Sequence, residues 1–173
     1  MIKNKIRVGL FALISILAID GFANHLMLRS SSITPNGVIP VQFTCNGDNY
    51  SPPFNWTDTN KNTKSYALIV ERINESGQFW VNWIVFNIPT RFTGFPEAVT
   101  LPAGVERGRN SWGTKNYRGP CTKGGPYAYH FQLYALDTRL KRRVNASTKE
   151  IKKAIKMHAI DSTEFIAFYG KPF

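Results

Sequence analysis

Metal ligands are scarce in this chain. Two cysteines and three histidines among 173 residues leave little for a zinc site. Neither a GxGxxG run nor a GxxxxGKS/T run occurs, so the standard nucleotide cradles are absent. Acids number 11 against 22 Lys and Arg, and no carboxylate pair is spaced for acid–base work. Ser76 and Ser111 lie outside any G-x-S-x-G context, so no nucleophile–base pair can be named. Past Ile19 no apolar stretch reaches membrane length. What is present argues for folding: 43% hydrophobic and 13% aromatic residues exceed what a disordered chain carries.

The N-terminus reads as an address. Lys3, Lys5 and Arg7 precede the twelve-residue apolar run Val8–Ile19, which Asp20 ends, and Gly21-Phe22-Ala23 supplies small residues for a signal peptidase. The run is short for a membrane anchor. Cleavage is expected after Ala23, with residues 1–23 as signal peptide and one domain over 24–173, exported to the periplasm or secreted. An uncleaved anchor or a buried helix is the competing reading. Cys45 and Cys121 both follow the cut; an oxidising compartment would join them, and a reducing one would leave two thiols.

Charge is uneven. Removing Lys3, Lys5, Arg7 and Asp20 takes the net charge from +11 to +9. Thirteen Lys or Arg fall between Arg107 and Lys156, with only Asp137 and Glu150 as acids. Such a field attracts polyanions, but a solvated basic face is the plainer reading, and no nucleic-acid motif accompanies it. Four Asn-x-Ser/Thr sequons, at Asn49, Asn55, Asn74 and Asn145, are as many as an Asn-rich chain produces by chance.

Strands dominate. Val38–Phe43 alternates. Lys64–Val70, Trp80–Ile88 and Tyr127–Asp137 are apolar runs rich in β-formers, suited to central strands buried on both faces. Trp80, Trp83, Phe79 and Phe86 suit core and pocket wall. Pro89–Arg118 is long and rich in Gly, Asn and Arg. Ser147-Thr148-Lys149-Glu150 is a capping box ahead of Ile151, Ala154, Ile155 and His158 on one helical face. Glu164–Tyr169 closes the chain as a strand.

Five segments in order resemble the phosphatidylethanolamine-binding protein family, in its bacterial Raf-kinase-inhibitor-like branch. They are Phe43–Trp56 (FTCNGDNYSPPFNW), Lys64–Pro89, Gly108–Cys121 (GRNSWGTKNYRGPC), Tyr129–Asp137 and the Lys149–His158 helix with its closing strand. The resemblance implies a mainly β fold: a large central antiparallel sheet packed on a smaller one, with Greek-key connections and a C-terminal helix. It also implies a small surface pocket for phosphate or phosphorylated head groups, and no enzyme activity. The pocket's usual parts are an Asp-Pro-x-Ala-Pro turn, a Trp-x-His strand, and a Gly-Pro-x-Pro loop leading to His-Arg-Tyr.

This sequence departs there. The turn reads Arg72-Ile73-Asn74-Glu75-Ser76, the strand Trp80-Val81-Asn82, the loop Gly119-Pro120-Cys121 and the last motif Tyr127-Ala128-Tyr129. The candidate ligand set is therefore Arg72, Asn74, Trp80, Asn82, Gly119, Pro120, Tyr127 and Tyr129, with Cys45 and Cys121 as the disulfide. Without the family histidines, such a site would bind anions with no histidine pH switch. A one-residue slip would bring Glu71 into the acid's place and reverse the faces. His130 should face away from Tyr129. The expected partner is a small anion or phospholipid head group, with no cofactor, metal or nucleic acid. The alternative is a protein-interaction module that inhibits a protease or kinase and keeps a vestigial pocket.

Overall fold

The computed structural model describes residues 26–73, 76–121, 124–141 and 146–170. The expected signal peptide and Asn74 lie outside them. In chain order the elements are β1 (Leu26–Arg29), β2 (Phe54–Asp58), β3 (Ser65–Ile73), β4 (Phe79–Pro89), β5 (Gly94–Phe95), β6 (Glu106–Arg107), β7 (Tyr127–Leu136), α1 (Thr148–His158) and β8 (Ala159–Tyr169). Two antiparallel sheets form, a small one ordered β1-β2-β5 and a large one ordered β6-β4-β3-β7-β8. β3 and β4 make a hairpin, and β7 returns to the other edge of β3.

The apolar runs occupy the middle of the large sheet because both its faces are covered. One face, carrying Tyr66, Leu68, Val70, Trp83, Val85, Phe131 and Leu133, packs against Leu28, Phe54 and Trp56 of the small sheet. Aromatic rings fill that layer: Trp56 meets Tyr66 and Phe95 edge-on, and Trp83 meets Tyr117 at 5.7 Å. The other face, with Ala67, Ile69, Val81, Ile84 and Phe86, takes Ile151 and Ile155 of α1.

α1 starts where its sequence says it should. Ser147 Oγ accepts from Glu150 N, and the Glu150 carboxylate accepts from Ser147 N. These bonds satisfy donors that a helix start otherwise leaves open. His158 closes the helix beside Asp137 at 2.9 Å, so it is a helix-end residue.

Two expectations are corrected. Val38–Phe43 is not a strand: Val38 makes one isolated bridge to Phe168, and Val41–Phe43 is a short 3-10 turn. Pro40 lacks a ladder donor, and the alternation around it was too short to outweigh the turn that follows. Phe79 and Trp80 are not core residues. They are 49% and 41% exposed, because the β3–β4 hairpin extends past the cover of either layer.

Candidate functional site

A bulge in β4 builds the site. Val70 pairs with Trp83, yet Glu71 pairs with Val81 and Arg72 with Trp80. Asn82 is the extra residue, and a bulge at that point re-aims side chains. The register also runs Arg72 to Tyr129 and Tyr129 to Ala167, so Trp80, Arg72 and Tyr129 lie in one row across three strands. Tyr127 stands two residues along from Tyr129, on the same face.

Arg72 lays its guanidinium over the Tyr127 ring, 4.4 Å from the centroid. Stacking uses the flat face of the cation and leaves its donor edge for hydrogen bonds. Its Nε is buried and has no partner among the described residues. Asn82 is fully buried and donates through Nδ2 to the Arg118 carbonyl at 2.7 Å, while Oδ1 has no partner there either. An unmet buried polar atom costs about 1–3 kcal/mol.

The 108–121 segment forms the adjoining wall. Asn110 organises it: Oδ1 accepts from Trp112 N and Thr114 N, and Nδ2 donates to Thr114 Oγ1 and the Asn116 carbonyl. That turn seats Trp112 edge-on to Trp80 at 5.2 Å and puts the Arg118 guanidinium over Trp112 at 4.7 Å. Ser111 ties the segment to β4, accepting from Val81 N and donating its own N–H to the Val81 carbonyl. Gly119 follows. A Cβ there would sit 2.0 Å from the Phe43 carbonyl, so only glycine allows the two backbones to meet. Its N–H donates to Asn49 Oδ1, and the Pro120 carbonyl accepts from Cys45 N. The Cys45–Cys121 disulfide locks the same junction, with Cα atoms 5.3 Å apart. Tyr117 donates to the Phe43 carbonyl at 2.8 Å, and burial, with Tyr129 adding, pushes its phenol far above the ordinary range.

Glu71 does not enter this site. It is 1% exposed, on the opposite face, and accepts from Lys152 of α1, whose ammonium lies 3.7 Å from the Phe79 ring centroid. His130 also faces away from Tyr129 and meets Glu164. Tyr134 is on that side as well, its phenol pushed up to about 12 by burial, with Glu71 and Glu164 adding.

The structure thus brings Arg72, Trp80, Tyr127 and Tyr129 onto one face, while Asn82, the bulged residue, is tied to Arg118 just ahead of Gly119 and Pro120. Tyr129 is only 2% exposed and belongs to the core beneath the site. Trp112, Arg118 and Asn49 do not figure among the site residues expected from the sequence, although all three fall inside segments that carry the resemblance. A cavity of about 640 Å³ lies elsewhere, between α1 and the Thr138–Lys141 stretch. We place the candidate site at Arg72 because its buried Nε has no partner among the described residues and its guanidinium is stacked on Tyr127.

The chain matches the family model for phosphatidylethanolamine-binding proteins over residues 29–170 and belongs to that family. A UPF0098 protein of Methanothermobacter thermautotrophicus is 38% identical over 148 residues, covering 83% of this chain and 98% of that one. Another, from Pyrococcus horikoshii, is 35% identical over 162 residues, 88% of this chain and 81% of its own. Among solved structures, a Chlamydia trachomatis homologue of the family superposes with a TM-score of 0.78 at 27% identity, over 87% of this chain and 100% of that one. An E. coli member gives 0.79 at 26% identity, over 86% and 99%.

Proposed function

We propose that this protein is an exported, non-enzymatic binding module that takes a small phosphorylated or sulfonated anion, such as a lipid head group, at Arg72. The Arg72 Nε, without a partner among the described residues and held by stacking on Tyr127, is the observation that carries this reading. A planar guanidinium fixed on an aromatic ring presents parallel donors to an oxyanion. Asn82 Oδ1, in the adjoining bulge and also without a partner among the described residues, is an acceptor suited to an ammonium or hydroxyl elsewhere on the ligand. The signal-peptide pattern and the joined cysteines support export. Among the described residues no nucleophile–base pair stands at the site: His130 and His158 are engaged with Glu164 and Asp137, away from it.

Calorimetric titration with phosphoethanolamine and with methanesulfonate, which stays ionised throughout, tests the proposal. Binding near about millimolar is expected. Arg72→Gln should weaken it at least tenfold, since a charge-assisted hydrogen bond contributes about 1.5–3 kcal/mol. Methanesulfonate affinity should vary little between about pH 5.5 and 7.5, the range in which histidine switches. Unchanged binding in Arg72→Gln would defeat the reading.

A further inference from the structure

The cavity of about 640 Å³ beside α1 lies on the helix-covered face of the large sheet, away from Arg72. Its size is that of ordinary small-molecule sites. Its floor is apolar: Phe86, Leu140, Ile151, Ala154 and Met157. Met157 is 70% exposed on an otherwise lysine-rich helix, an uncommon place for a large apolar side chain without a cover. The rim is cationic, with Arg139, Lys141 and Lys153. Lys141 and Lys153 have no carboxylate against them among the described residues. Glu150, the acid in the lining, is engaged in the helix cap.

The walls are fixed. Asn87, buried and in a left-handed conformation with φ 57°, holds Leu140 by two hydrogen bonds, accepting its N–H at 2.7 Å and donating to its carbonyl at 2.9 Å. Arg139 is held by the Gly104 carbonyl at 2.9 Å. A groove with a rigid apolar floor and free cations on its edge suits a ligand with one negative head and an apolar tail. A flat bilayer would meet the lysines but could not fill the groove. A fully polar anion would gain nothing from the floor.

We infer that this groove is a second binding site, for an anionic amphiphile: a carboxylate or phosphate head at Lys141 and Lys153 and an alkyl tail over Phe86, Leu140 and Met157. The inference does not depend on the Arg72 site being occupied.

Titrating the full-length mature protein by calorimetry with dodecanoate and dodecyl phosphate below their micelle concentrations, and with dodecanol below its solubility limit, tests it. Both anions should bind and dodecanol should bind at least tenfold more weakly; preference for one anion then identifies the head. Lys153→Glu and Lys141→Glu should each weaken binding at least about fivefold, and Ala154→Trp, which fills the floor, should abolish it. Arg72→Gln should leave it unchanged, which keeps the two sites distinguishable. The lysine variants are on the surface and should melt like wild type, so they hold the test if Ala154→Trp fails to fold. Equal binding of dodecanol, indifference to both lysine reversals, loss of binding in Arg72→Gln, or no binding of either anion would each overturn the inference.

Discussion

Glu71 and Arg72 are neighbours in one strand, yet the two faces of the large sheet treat them differently. On the helix side Glu71 is buried and closed by Lys152, which in turn is covered by Phe79. On the other side Arg72 has an aromatic ring beneath it and, among the described residues, no hydrogen-bond partner for Nε. The three buried polar atoms without partners among the described residues are Trp56 Nε1, Arg72 Nε and Asn82 Oδ1, and the first two lie on the side away from the helix. A buried charge that has a partner within the chain contributes to the fold. A buried polar atom left without one costs about 1–3 kcal/mol until something meets it.

The faces are also held by different means, and the largest effect should come from separating them. Reducing Cys45–Cys121, which closes a separation of 76 residues, should cost about 4–5 kcal/mol in the chain-entropy account, read by urea denaturation with and without reductant. Phosphoethanolamine binding at Arg72 should fall with it, while the α1 side keeps its packing. Next is Lys152→Met, which strands Glu71 in the interior and should cost about 3 kcal/mol; adding Glu71→Leu should recover most of that. Recovery that failed would mean the pair does more than neutralise itself.

Alkali should strain both sides together. Tyr66, Tyr117 and Tyr134 all have phenols raised by burial. A raised folded value means that the stabilisation is complete below about pH 10, where the unfolded phenol titrates, and fades as pH climbs toward the folded values. Tyr134, partly accessible, should contribute on the order of 1 kcal/mol after solvent screening. Denaturation midpoints measured from pH 8 to 12 should fall only above about pH 10, and Tyr134→Phe should shrink the fall. The smallest effect belongs to Arg72→Gln. Removing an unmet buried donor offsets the lost ring stacking, so stability should stay within about 1 kcal/mol while anion binding drops. A large destabilisation would show that Arg72 is structural, like Glu71.

Much of this was written locally. The runs around Lys64–Val70, Trp80–Ile88 and Tyr127–Asp137 announce central strands because a strand covered on both faces must be apolar throughout. The capping box at Ser147 and Glu150 announces α1 because both bonds are made within four residues. The order of five segments was enough to point to the family. The two cysteines left one pairing to make, although only the fold shows their Cα atoms brought to 5.3 Å.

Other features have no local signature. The bulge at Asn82 adds one residue to a strand without altering its composition, yet it sets Arg72 opposite Trp80 and commits Glu71 to the helix. Trp112 and Arg118 reach the site only because Asn110 folds its loop back on itself and Ser111 pins that loop to β4. The groove under Met157 exists because Asn87, 53 residues away along the chain, anchors Leu140. Sequence determined which segments become strands and helix, since those choices follow from periodicity and caps a few residues long. Which side chains face one another, and which polar atoms go unmet, was decided only when distant segments paired, because register and burial are properties of contacts between them.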